Sequence, residues 1–311
     1  FASQAEVGTD LGIYVQDSWR LGRLTLNPGL RFEYLNGRLP EQTAPAGRWI
    51  PARDFAAVEN MPNNKDIAPR FGAAYDVFGN GKTAIKGSLG RYMEQIGQSF
   101  ASRYNPMVSS TASVSWTDLN GDDLAQGTPG CTYLTAGCEV NLLQVPNSFG
   151  VRRNRNPDPN LPRAYQMLYN VSVQPELLPR VAVGAGFTRR DFYDIFWTNN
   201  QDIPFTAYNL VTVPDPRGNG QTVPVYNLIP SFLGRVNELD TKSDNTRTFN
   251  AVDLSIQARF PNGASLGGGT STGRQVSSTC QVADPNLLQY CDQRGFIPFR
   301  TQFKVGGIMP L

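Results

Sequence analysis

The chain has 311 residues, 40% hydrophobic, 17% charged and 11% aromatic, a composition that folds and carries too little charge for disorder. It contains no histidine, which removes Ser-His-Asp, Cys-His and histidine-metal chemistry. A net charge of +2 gives no overall field for gathering nucleic acid or anionic lipid, and no run approaches the roughly 18 consecutive apolar residues of a membrane helix. Apolar residues spread over alternate positions, as in a membrane β-barrel, remain compatible with these limits.

The dominant period is two. In 11–20, Leu11, Ile13, Val15 and Trp19 fall on one face, against Gly12, Tyr14, Gln16, Ser18 and Arg20. In 24–34, Leu24, Leu26, Leu30, Phe32 and Tyr34 oppose Thr25, Asn27, Gly29, Arg31 and Glu33. Weaker strands follow at 67–78 and 83–92, then strong alternation at 165–174, 181–190 and 252–260, and weaker strands at 266–272 and 301–309. About nine strands result, each near the 9–11 residues that cross a bilayer at a tilt.

Short and long connections alternate along the chain. Turns are expected at Leu21-Gly22-Arg23, Gly79-Asn80-Gly81, Pro175 to Pro179 and Pro261-Asn262-Gly263, where Asn-Gly pairs supply positive φ. Between the hairpins run long segments at 36–66, 93–162, 191–247 and 273–300. Soluble domains rarely carry such loops, whereas outer-membrane barrels combine short periplasmic turns with long extracellular loops. The less apolar face, with Gly12, Gly29, Gly184 and Gly186 beside Gln16, Arg31, Glu33 and Gln174, suits a wet lumen. Aromatics near strand ends (Trp19, Tyr34, Tyr75, Phe78, Tyr165, Phe187, Phe260) suit interfacial girdles. The expected fold is all-β: part of an antiparallel up-and-down transmembrane β-barrel with long extracellular loops.

Three segments carry a resemblance. GIYVQDSWRLGRLTLNPGLRFEY, APRFGAAYDVFGNGKTAIKGSLGRY and FNAVDLSIQARFPNGASLGGGTSTGR resemble hairpins of TonB-dependent outer-membrane receptors, closest to the large Oar-like branch. The resemblance implies a larger barrel closed by an N-terminal plug, importing a ligand with energy coupled through TonB. About nine strands, no plug and no terminal strand ending in an aromatic then imply a fragment of the barrel's C-terminal half, lying against outer-membrane lipid. The imported ligand is not readable, and an extracellular β-rich adhesion or filament protein and a soluble β-sandwich remain as rivals.

The four cysteines form two local pairs within long loops, Cys131 with Cys138 and Cys280 with Cys291. Of three connectivities, nearest-neighbour disulfides are favoured, in keeping with an oxidising compartment; a zinc site lacks any Cys-x-x-Cys pair. Asp118, Asn120 and Asp122 alternate in TDLNGDDLAQ, a spacing able to wrap calcium, although Asp123 and Pro129 occupy the positions where an EF-hand needs glycine and a bidentate acid. A solvated Asx-rich turn is the competing reading. Arg152, Arg153 and Arg155 could meet an anionic ligand or a lipopolysaccharide phosphate, or sit in a solvated loop. Arg31, Glu33, Arg70, Lys86 and Arg190 are expected to face the lumen, pairing with one another or with a plug. Gly267-Gly268-Gly269 is expected to kink or bulge its strand. No carboxylate pair, nucleophile elbow or P-loop stands at meaningful spacing, so neither an enzyme nor a cofactor beyond calcium is expected.

Overall fold

A computed structural model describes residues 4–45, 52–105, 107, 115–123, 125, 139, 154–218 and 220–310. Nine long strands follow the period-two segments: β1 (Glu6–Gln16), β2 (Leu24–Arg38), β3 (Asn63–Asp76), β4 (Thr83–Met93), β5 (Tyr165–Leu178), β6 (Val181–Tyr193), β7 (Thr246–Arg259), β8 (Ser265–Ser278) and β9 (Arg300–Ile308). They pair in chain order, each antiparallel to the next, in one sheet. Trp19–Leu21 also pairs with β2, extending the line of β1 past Asp17 and Ser18. Antiparallel neighbours joined by tight turns need no crossover, so sequence order becomes spatial order.

The tight turns all lie at one end of the sheet. Gly263, at φ +85, completes the β7–β8 turn, where Phe260 and Ala264 are joined by a 2.8 Å backbone hydrogen bond. In the β3–β4 turn the Asp76 carboxylate accepts from the backbone N–H of Gly79 and Gly81, at 3.0 and 2.8 Å. One turn differs from the sequence expectation. β5 runs through Pro175 to Leu178, and the chain reverses at Pro179-Arg180, with Arg180 at φ +70. Pro175 lacks an N–H and sits where the β5–β6 ladder is interrupted between Glu176 and Val173.

Register separates the two faces. Ile13, Phe32 and Ile67 are opposite one another across β1–β3, and Val171, Phe187 and Val252 across β5–β7. This apolar face is exposed: Leu254 is 53% and Val305 80% accessible. No described element packs as a second layer on it in the manner of a sandwich, since the remaining strands belong to small sheets in the connections. The opposite face is polar and hollowed, with open cavities of about 750 Å³ around Gln16, Asn27, Arg31 and Arg70 and about 690 Å³ around Asp253, Ser255 and Lys304. Of the expected girdle aromatics, Phe187 lies mid-strand within the apolar face instead, because β6 extends to Tyr193.

The Gly267-Gly268-Gly269 expectation is corrected. β8 keeps unbroken register with β7 and β9 through all three glycines, without a bulge. The need for glycine is steric: a Cβ on Gly269 would collide with the Leu254 carbonyl oxygen.

Candidate functional site

The four long connections emerge at the end of the sheet opposite the tight turns, and they fold onto one another. Helix α1 (Gln98–Tyr104) lies in the β4–β5 connection. Its Ala101 and Tyr104 pack with Leu39 of the β2–β3 connection, and Phe100 meets Tyr104 edge-on at 5.2 Å. Short strands Phe196–Asn200 and Glu238–Lys242 of the β6–β7 connection pair antiparallel, and Arg155–Pro157 of the β4–β5 connection joins them in parallel. Two separate loops thereby share one small sheet.

Asp240 is the centre of this knot, with a fully buried side chain. Its carboxylate accepts from the Tyr104 hydroxyl at 2.7 Å, the Thr198 hydroxyl at 2.7 Å and Arg155 Nη2 at 2.8 Å. Arg103 approaches at 3.6 Å and stacks its guanidinium over Phe196 at 4.5 Å. Burial opposes ionisation of Asp240 most strongly, but the hydrogen bonds from Arg155, Thr198 and Tyr104 outweigh it and hold the carboxyl below its ordinary range. Burial, then the hydrogen bond to Asp240, raises the Tyr104 hydroxyl well above its ordinary value. Arg155 thus belongs to an ion pair that fastens two loops.

A second cluster ties this region to the sheet. Arg163, just before β5, is 8% exposed and donates to Glu33 Oε2 at 2.9 Å, to Asp66 Oδ2 at 3.1 Å and to the Glu94 carbonyl at 2.7 Å. Arg31 Nε donates to the other oxygen of Glu33 at 2.6 Å. Between the clusters lies a cavity of about 160 Å³ lined by Glu94, Ser99, Phe100, Arg103, Arg163 and Phe196. It offers two guanidinium groups beside two aromatic rings, a lining able to meet a planar or anionic group.

The residues expected to face a lumen, Arg31, Glu33, Arg70, Lys86 and Arg190, all fall on the polar face by register. Only Arg31 and Glu33 of these pair with each other. Lys86 donates to Gln174 at 2.9 Å, Arg70 lies over the Tyr92 ring at 4.4 Å and Arg190 over Phe249 at 5.8 Å. Arg163 and Asp66 complete the cluster with no advance signal, because a single charge beside Pro162 or at a strand start forms no pattern. Asp240 and Tyr104 are equally silent in sequence.

Cys280 and Cys291 form a disulfide across an 11-residue separation in the β8–β9 connection. Cys131, Cys138, Arg152 and Arg153 lie outside the described residues. Asp118, Asn120 and Asp122 form an Asx-rich turn: Asp118 accepts from the backbone of Gly121 at 2.6 Å and Asp123 at 3.0 Å, and Asn120 donates to Asp122 at 3.1 Å. Those backbone donors, the Asp123 one foremost, lower the Asp118 carboxyl below its ordinary value. The β8–β9 connection is docked in turn: Asn286 exchanges two 2.8 Å hydrogen bonds with the Tyr226 backbone of the hairpin Tyr208–Pro214/Thr222–Leu228.

The FrpB iron transporter of Neisseria meningitidis shares 10% identity at a TM-score of 0.43, over 86% of this chain and 26% of its own. The alcaligin outer-membrane receptor FauA of Bordetella pertussis shares 11% at 0.39, over 86% and 30%, and the outer-membrane transporter YddB of Escherichia coli shares 10% at 0.38, over 86% and 33%. The chain therefore spans about a quarter to a third of the length of these proteins. No curated protein matches it. The family model described as outer membrane beta barrel domain matches residues 2–269, most of the chain. Strand order, the exposed apolar face and this match agree: the chain belongs to the outer membrane β-barrel domain family and resides in the bacterial outer membrane.

Proposed function

We propose that the chain forms part of the wall of a TonB-dependent receptor of the Oar-like branch, which takes up a ligand across the outer membrane. The observation that carries this reading is the two-faced sheet of nine sequential strands, apolar and exposed on one side, hollow and polar on the other, with the described parts of the long connections gathered at one end. A wall of this kind separates lipid from an aqueous path. The three hairpin segments that resemble TonB-dependent receptors support the finer assignment. In this reading a plug from elsewhere in the polypeptide sits against the polar face, energy reaches it through TonB, and the loop knot around Asp240 presents the capture surface.

Two measurements test it. Intact mass and peptide mapping of the native polypeptide should give a mass well above 34.2 kDa with peptides flanking Phe1 and Leu311. A deletion strain is then assayed with a labelled ferric chelate, an oligosaccharide and an oligopeptide, with and without an uncoupler. Uptake of one probe that needs both the gene and the proton-motive force fits the proposal. Uptake of all three that is indifferent to both sinks it.

A further inference from the structure

The apolar face ends in cations on the loop side. Lys65 stands two residues before Ile67 on β3, Arg91 two after Leu89 on β4, and Arg189 two after Phe187 on β6. Arg274 on β8 is opposite Asn250, which stands two residues before Val252 on β7. Each shares the register of the apolar side chains, so all four point to the lipid side of the wall, at the margin nearest the long connections. A cation at the rim of a hydrocarbon surface normally pairs with an acid or reaches for a headgroup.

Three of the four have no acid among the described residues. Arg189 pairs with Asp191 at 2.8 Å. Lys65, Arg91 and Arg274 form no ion pair with any described residue. Aromatic rings hold them instead: Lys65 lies 5.5 Å from the Tyr34 centroid, Arg91 3.8 Å from Tyr165 and Arg274 4.6 Å from Phe299. Among the described residues the covered Nε atoms of Arg91 and Arg274 lack an acceptor, and Arg274 gives a single 3.3 Å hydrogen bond, to the Ile297 carbonyl. Side chains stiffened on rings with unanswered charge are preset to meet an anion at little ordering cost.

Position selects the anion. A soluble anion has no reason to sit on the lipid side, whereas a lipid whose acyl chains cover Leu89, Val171 and Val252 brings its head to this margin. Strand spacing puts Arg91 and Arg274, four strands apart, roughly 19 Å from each other. We propose that Lys65, Arg91 and Arg274 form a binding surface for the phosphate groups of a phosphorylated lipid in the outer leaflet. The inference rests on the reading of the apolar face as lipid-facing.

The test uses the whole native protein, extracted in mild detergent and returned to vesicles that carry either a phosphorylated glycolipid or the same lipid after phosphatase treatment. Native mass spectrometry counts the lipid retained. Wild-type protein is expected to prefer the phosphorylated form by about a hundredfold, and Lys65→Gln/Arg91→Gln/Arg274→Gln to lose that preference. Equal retention of the two lipids by wild-type protein overturns the proposal and needs no variant. Displacement by inorganic phosphate at matched concentration also overturns it, by making the site one for a free anion. Heat-modifiable gel migration accompanies each sample: its presence without a phosphate preference fails this inference alone, and its absence in wild-type protein fails the lipid-facing reading itself.

Discussion

The Tyr104 hydroxyl donates to the Asp240 carboxylate at 2.7 Å across 136 residues of sequence, joining the β4–β5 and β6–β7 connections in a buried contact. Arg155 and Thr198 share the same carboxylate. Removing the acid strands Arg155, whose side chain is only 13% exposed, with Glu238 at 3.6 Å as its one remaining carboxylate among the described residues. Breaking a buried pair from one side costs about 3–5 kcal/mol. Asp240→Ala is expected to loosen both connections by that order while leaving the strands paired. Limited proteolysis should then cut within 94–164 and 194–245, with heat-modifiable migration retained; loss of that migration would show the knot to be part of the wall.

The same contact fixes a pH window. The Asp240 carboxyl is lowered from its ordinary 3.8, so its contribution is complete above that value and is lost as pH falls through the still lower folded value. Tyr104 is raised from its ordinary 10.0, so its contribution is complete below that value and is lost as pH rises toward the folded one. Hydrogen-exchange protection of Thr198 and Asp240 should be flat between these limits and fall only beyond 3.8 and 10.0. A midpoint near neutrality would contradict this assignment.

Gly269 and Gly267 make a paired test of β8. A methyl on Gly269 collides with the Leu254 carbonyl oxygen, a backbone atom held by the ladder, while on Gly267 its nearest neighbour is 3.9 Å away. Gly269→Ala should cost about 1–3 kcal/mol through overpacking. Gly267→Ala should be near neutral or slightly stabilising, since it restricts the unfolded chain. Denaturant unfolding in detergent micelles reads both. Equal losses at the two positions would return the triplet to the role of a flexible kink.

Strand number, order and facing were legible because a sheet with one lipid face repeats its instruction every second residue: Leu11-Ile13-Val15 and Val252-Leu254-Ile256 are each readable alone. Turns were legible where Asn-Gly forces positive φ and misplaced at Pro175, where the ladder tolerates a missing N–H. The loop contacts were not legible. Asp240 stands in a short stretch with no period of its own, and its partners Tyr104 and Arg155 are separated from it by 136 and 85 residues. Arg155 drew notice as one of three nearby arginines, but only the structure shows that it meets a buried acid.

The Cys280–Cys291 bridge closes a short loop that also holds Asn286, the residue docked on Tyr226. Closing a loop of this size restricts the unfolded chain by about 2–3 kcal/mol. Cys280→Ser/Cys291→Ser should release the docked segment by that order, seen as faster exchange at Tyr226 and Asn286 with β8 and β9 unchanged. If reduction left exchange at both residues as it was, the docking would rest on its two hydrogen bonds alone.

The lipid side of the wall makes the sharpest distinction between faces. Leu254 and Ser255 are adjacent on β7 and point to opposite sides, Leu254 facing Ala185 and Ser255 facing Gly184 across the β6–β7 ladder. Leu254→Arg places a charge within the apolar band, which costs about 2–4 kcal/mol near the bilayer midplane. Ser255→Gln keeps a polar group on the hollow side, where water solvates it, and should cost far less. Unfolding titrations in lipid vesicles give the two values directly. The difference between them should shrink in short-chain detergent, which thins the hydrocarbon around Leu254 and leaves the environment of Ser255 as it was. Equal costs at the two positions would mean that both faces meet the same solvent, and the sheet would then not be a membrane wall.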